Sequence, residues 1–153
     1  MNNANIITEP LRLSPHFTLG EMTDSGTARE RHIDNTPTPE AVDNLRALCC
    51  EVLEPLRSRF GRTIISSGYR SRALNEAVHG AANSQHLRGE AADINCSSLS
   101  EARRRFEFIR DNLDFDQLLL EERLCIGTCW LHVSYVRQPG RRPNRHDAHF
   151  LDV

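Results

Sequence analysis

The chain has 153 residues, of which 39% are hydrophobic and 26% charged, and a formal net charge of -2. That length suits one domain, and the composition excludes a disordered polymer. The near-neutral balance argues against a dedicated nucleic-acid binder, and no apolar run is long enough to span a bilayer.

The opening MNNANIITEPLRL has no basic start followed by an apolar core, so no secretory signal is read and synthesis in the cytoplasm is expected. There are five cysteines: Cys49, Cys50, Cys96, Cys125 and Cys129. An odd number without a signal favours reduced thiols over a disulfide framework. Cys125 and Cys129 have the look of half a zinc site, but no second close pair completes it.

Residues 1–37 read as irregular and polar, with a short helix near Leu19–Met22. In DNTPTPE, Thr38 is a candidate N-cap, Pro39 fits the first helical position and Glu40 suits the positive helix end. From there to about Phe60 the apolar residues recur at helical spacing, including Val42, Leu45, Leu48, Val52 and Leu56. Pro55 lies inside this pattern and is expected to kink it. Gly61 closes the helix.

Thr63 to Ser67 reads as a short strand, Gly68 to Ser71 as a turn, and Ser71 as the cap of a helix from Arg72 to about Val78. His79 to Leu87 forms a loop and Ala91 to Asn95 a second strand. Ser98 or Ser100 caps a helix reaching about Asn112. Phe115 to Leu120 and Trp130 to Val136 are the third and fourth strands, joined over Glu122 to Cys129 by a hairpin loop. The tail after Gln138 is rich in Pro, Arg and His and reads as irregular. Helices mixed with short, mostly antiparallel strands indicate an α+β fold.

The segment SQHLRGEAADI, Ser84 to Ile94, carries the chemistry. Side chains alternate along a strand, so Asp93 shares a face with Ala91 and Asn95 while Ala92 and Ile94 point the other way. By the same rule His132 shares a face with Trp130 and Ser134. An acid and a histidine therefore project from two strands onto a polar face. His86 enters from the preceding loop, Gly89 lets that loop turn back, and Ala91 leaves room beside Asp93. Two imidazoles and one carboxylate suit a catalytic zinc with its fourth position left to water. The competing reading is a set of ordinary surface and capping residues.

The pattern Ser84-x-His86-x-x-Gly89-x-Ala91-x-Asp93 resembles the signature of the zinc D-alanyl-D-alanine carboxypeptidase family. That family includes phage endolysin peptidases and shares its fold with the hedgehog signalling domain. Ser67-Gly68-Tyr69-Arg70-Ser71 is similar to the family's SGYRS segment, and Trp130-Leu131-His132-Val133-Ser134 to its distal W-x-H block. The DNTP opening, the helix ending at Phe60 and Phe115-Asp116-Gln117-Leu118 resemble a small, often phage-encoded branch. The likeness runs from about Phe17 to Tyr135. It implies a single-domain hedgehog-like fold, a zinc ion held by His86, Asp93 and His132, and peptidoglycan stem peptides as substrate. It also implies Arg70 as the donor to the oxyanion of a carboxypeptidase or endopeptidase reaction.

The general base is the point of departure. Many family members carry an acid three residues before the last ligand histidine, where this chain has Cys129. The nearest upstream acids are Glu121 and Glu122. A hairpin pairing the third and fourth strands would bring Glu121 across from His132, which makes it the expected catalytic base. Ser84 is a candidate to orient His86 or Asp93, and Trp130 to line the cleft. His146, His149 and His79 read as polar surface, and Arg137, Arg141, Arg142 and Arg145 as a solvated basic tail.

The sequence therefore predicts a monomeric zinc metallopeptidase over residues 1–153. It would act on peptidoglycan peptides at the cell wall, with neither nucleic acid nor membrane insertion involved. A zinc-stabilised binding or virion structural module without turnover is the alternative, and a thiol-based redox or zinc-ribbon protein a third.

Overall fold

The structure, a computed structural model, describes residues 10–122, 125 and 129–151. The chain starts on a hairpin of β1 (Arg12–Ser14) and β2 (Phe17–Thr18). Helices α1 (Leu19–Thr23) and α2 (Gly26–Arg31) follow. The expected short helix is thus present, but the described part of the stretch before residue 37 is far from irregular. Thr18 and Glu21 form a reciprocal capping box, and Ser25 caps α2. Leu13, Phe17 and Met22 are buried and tie the segment to the core.

Helix α3 (Pro39–Leu48) begins as its sequence dictates, with the Thr38 hydroxyl accepting from Ala41 N. It continues through a π-helical turn (Cys49–Leu53) into α4 (Glu54–Phe60). The expected irregularity at Pro55 takes this form. Proline has no N–H for the helical ladder and its ring crowds the carbonyl one turn back. The widened turn, with Glu54 N donating to Cys49 O, lies just before it.

Five strands make the main sheet in the order β3-β4-β6-β5-β7. They are β3 (Ile64–Ser67), β4 (Ala91–Cys96), β5 (Gln117–Glu121), β6 (Cys129–Ser134) and β7 (Asp147–Leu151). All neighbours are antiparallel except β5 and β7, which run parallel. Helices α5 (Arg72–Ala77) and α6 (Leu99–Asn112) complete the α+β architecture, capped by Ser71 and Ser98 respectively. The loop expected over Glu122 to Cys129 falls largely outside the described residues, as do residues 1–9.

The sheet has two chemically distinct faces. Ile94, Leu131, Val133, Leu118 and Leu120 are fully buried and join Leu45, Leu56 and Ile109 of the helices in one core. Each such side chain stabilises the fold by about 1.5–3 kcal/mol. The alternate positions, Asp93, His132 and Leu119, lie on the other face and are only partly covered. The apolar face therefore fixes the strand register, because a slip of one residue would bury the ionisable set.

The tail departs from expectation. It returns as β7 alongside β5, and its arginines are anchored rather than solvated. Fully buried Asp116 accepts from Arg142 Nη1 and Nη2 at 2.5 and 2.9 Å. It also accepts from Arg145 N, Nε and Nη2 at 3.0, 3.1 and 2.9 Å. Arg141 reaches buried Glu90 at 2.7 Å, and Arg137 donates to Asn44 Oδ1. The carboxylates that organise the tail lie outside it in sequence, which is why a composition-based reading missed the strand.

Burial alone would raise the Asp116 carboxyl, but the hydrogen bonds from Arg142 and Arg145 outweigh it and hold it well below the usual carboxylate range. A depressed carboxylate contributes stability above its unfolded pKa and loses it as pH falls through the folded value. Asp116→Asn is expected to lower stability by about 2–3 kcal/mol near neutral pH. The gap between variant and wild type should hold above pH of about 4 and narrow steadily as pH falls below it. Denaturant melts from pH 7 to pH 2 check this; a gap independent of pH would show that the ion pairs contribute nothing.

Candidate metal centre

Strand pairing builds the centre. In the β4–β6 ladder Asp93 stands directly opposite His132, and opposed residues share a face. His132 Nδ1 lies 2.9 Å from Asp93 Oδ1. The third group, His86, arrives on a short 3₁₀ turn (Gln85–Arg88) whose first N–H groups are capped by Ser84: the Ser84 hydroxyl accepts from His86 N at 3.2 Å. Gly89 ends the turn with φ 74°, a left-handed conformation costly for other residues. A Cβ there would come within 2.5 Å of Ala41 O, so the turn lies tight against α3.

The ring of His86 is oriented from behind. Its Nδ1 is 2.6 Å from Gly68 O. A carbonyl can only accept, so Nδ1 carries the proton and Nε2 presents its lone pair to the site. That Nε2 is 3.4 Å from Asp93 Oδ1. The loop supplying Gly68 is itself clamped: Tyr69 N donates to Met22 O at 2.7 Å, and Asn35 bridges Thr23 O, Tyr69 O and Ser71 N. A Cβ on Gly68 would collide with Met22 O.

Arg70 closes the other side of Asp93. Its Nη2 is 3.6 Å from Asp93 Oδ2, while Nε donates to Ser67 Oγ and Nη1 to Asn75 Oδ1. Its backbone N–H donates to His86 O at 3.0 Å, coupling the two loops. Burial pushes the Asp93 carboxyl up, but its close contacts with the His132 and His86 rings prevail and hold it well below the ordinary range. It is therefore an anion throughout the working pH range of a typical protein.

Among the described residues, His86, Asp93 and His132 form the group whose ligand atoms all fall within 4.8 Å of one another. The separations suit a tetrahedral ion. Ligands about 2.0–2.1 Å from zinc lie about 3.3 Å apart along a tetrahedral edge, and the 3.4 and 2.9 Å separations bracket that value. The donor set of two imidazoles and one carboxylate, with His86 fixed by a carbonyl, fits zinc.

The expected base is placed differently from its sequence reading. Leu119, not Glu121, stands opposite His132. Glu121 is two residues further along β5, on the same face, beside Leu151 of β7. Cys129 takes the opposite, buried face and is joined to Cys125 in a disulfide. The two Cα atoms lie 4.4 Å apart, within bridging range. For these two cysteines this overturns the reduced-thiol expectation, and with it the half zinc site. Cys49, Cys50 and Cys96 are free.

Trp130 is 44% exposed on the metal-bearing face, opposite Asn95. His79 is exposed; His146 pairs with Asp114 and His149 with Asp147, outside the cluster. Sequence reasoning missed Ser67, Asn75 and the Gly68 carbonyl. Backbone acceptors leave no trace in side-chain patterns, and Asn75 is recognisable only through its contacts.

Zinc added to the purified protein should bind at a single site and raise Tm, by about 2.7 kcal/mol of stabilisation at a hundredfold excess over Kd. His132→Ala should abolish the shift. Gly89→Ala should lower Tm and weaken zinc binding together, because the strained turn carries His86. Calorimetric titration and thermal melts read both; an undiminished zinc-induced shift in His132→Ala would remove that residue from the ligand set.

No curated protein matches this chain. A family model described as Peptidase M15 matches residues 15–128. The match takes in Arg70, His86, Asp93 and Glu121 but stops short of His132, which the β4–β6 register brings to Asp93. With most of its length covered, the chain belongs to the Peptidase M15 family, the zinc D-Ala-D-Ala carboxypeptidase-like peptidases.

Proposed function

We propose that this chain is a zinc-dependent peptidase that cleaves peptide bonds in peptidoglycan stem peptides, as a carboxypeptidase or endopeptidase of a phage or prophage cell-wall hydrolase. The observation that carries the reading is the His86–Asp93–His132 cluster with Arg70 against it, in a chain of a peptidase family. The cell-wall setting rests on the resemblance of the DNTP and FDQL segments to small phage-encoded members.

Zinc, when bound, would polarise the scissile carbonyl and lower the pKa of a bound water. The protein's own residues would do the rest. The carbonyl of Gly68 keeps His86 in the ligating tautomer. Arg70, held at two of its nitrogens by Ser67 and Asn75, offers its remaining donor capacity to the developing oxyanion. Glu121, one step along β5 on the metal-bearing face, would take the proton of the attacking water.

A zinc-stabilised binding or virion module without turnover is the second reading, favoured by the apolar Leu119 standing directly opposite His132.

Incubation with defined peptidoglycan fragments, with products read by mass spectrometry, separates the two. Cleavage should be lost on chelation and in His86→Ala, and recovered for wild type with added zinc. Glu121→Gln should lower kcat by about 10²–10⁴, and Arg70→Gln by about 10²–10³. Zinc binding without cleavage of any fragment would leave only the binding module.

A further inference from the structure

The metal centre opens on one side into a groove of about 760 Å³ that His132 and Leu119 border. Five arginines line it, Arg72, Arg88, Arg141, Arg142 and Arg145, and no acidic side chain among the described residues does. Three of these are fixed from below. Buried Glu90 holds Arg141, and buried Asp116 holds Arg142 and Arg145, yet all three side chains remain partly exposed. Arg72 and Arg88 are exposed and have no ion-pair partner among the described residues. Five guanidinium groups thus meet two buried carboxylates, in a protein whose formal net charge is -2. Asp93 lies behind His132, against Arg70, and Asp147 on β7 is paired with His149.

A concave patch with excess positive charge, in a chain that is negative overall, is a ligand feature rather than a solubility feature. Guanidinium groups match planar carboxylates with paired N–H donors. Arginines fixed by buried carboxylates lose little freedom when they bind a ligand.

We propose that this groove is the subsite that selects an acidic peptide, one carrying two or more free carboxylates on the side of the scissile bond nearest His132. Arg72 and Arg88 determine the specificity, and Arg141, Arg142 and Arg145 form the fixed floor. The proposal rests on the peptidase reading for its substrate, but the groove itself does not require the metal.

The test uses tetraglutamate as the acidic probe, with tetraglutamine and an oligothymidylate of similar length beside it, titrated calorimetrically into the full chain without added metal. Tetraglutamate should bind and weaken as salt rises, and tetraglutamine should not bind. The variant Arg72→Gln/Arg88→Gln should bind tetraglutamate about tenfold more weakly, and Arg72→Lys/Arg88→Lys should recover part of that loss. Both pairs are on the surface, so the fold should persist in circular dichroism. Equal binding of tetraglutamine, equal or tighter binding of the oligothymidylate, or indifference to the double Gln substitution would overturn the subsite. Binding as expected with no peptidoglycan fragment cleaved would uphold the subsite and sink the peptidase reading. Cleavage with the wild type equally active on a fragment and on its carboxyl-amidated form would sink the subsite alone.

Discussion

The pairing of β4 with β6 is the constraint on which the site depends. It places Asp93 opposite His132, and the same ladder places Ile94 opposite Leu131 and Ala92 opposite Val133. The core residues and the ligands are thus selected by one register. Apolar burial on one face supplies the free energy, and the ligands on the other face inherit their positions. A slip of one residue would turn the core side chains and the Asp93–His132 pair to the wrong faces together.

Asp93 is where three separately positioned groups meet. His132 reaches it across the ladder, His86 from the 3₁₀ turn, and Arg70 from the loop after β3. Removing a carboxylate from water is costly unless it is well hydrogen-bonded. The protein meets that cost with polar groups already in place, and two of them, the His86 and His132 rings, lie at spacings from Asp93 that suit a small dication. The support runs outward in order: Gly68 O fixes His86, Tyr69 N and Asn35 fix that loop, and Met22 O on α1 fixes Tyr69. The N-terminal helices, which carry no chemistry themselves, are therefore part of how the centre is held.

Much of this was legible from local signals. Thr38-Pro39 announced α3, Ser71 and Ser98 announced their helices, and alternation in AADIN and WLHVS put Asp93 and His132 on one face. The failures share a cause. Glu121 is expected across from His132, but the ladder aligns Leu119 there instead, and which residue of β5 faces His132 depends on a register that alternation alone does not give. Cys125 and Cys129 were read through their number rather than their spatial approach. The tail was read as irregular because the carboxylates that order it, Glu90 and Asp116, lie far back in the sequence. Local periodicity carries no information about such distant partners.

The buried carboxylates beneath the groove join stability to recognition. Asp116 holds the segment that leads into β7, and its buried charge is balanced by two partly exposed guanidinium groups. Those same groups form the groove floor next to His132. An anionic ligand and Asp116 would then share Arg142 and Arg145, so each arginine must have donors to spare. Arginine does, with five N–H groups in a fork, and lysine in the same place would have to choose between partners. Arg141, Arg142 and Arg145 suit that double demand: each guanidinium pairs with a buried carboxylate, and each residue lines the groove.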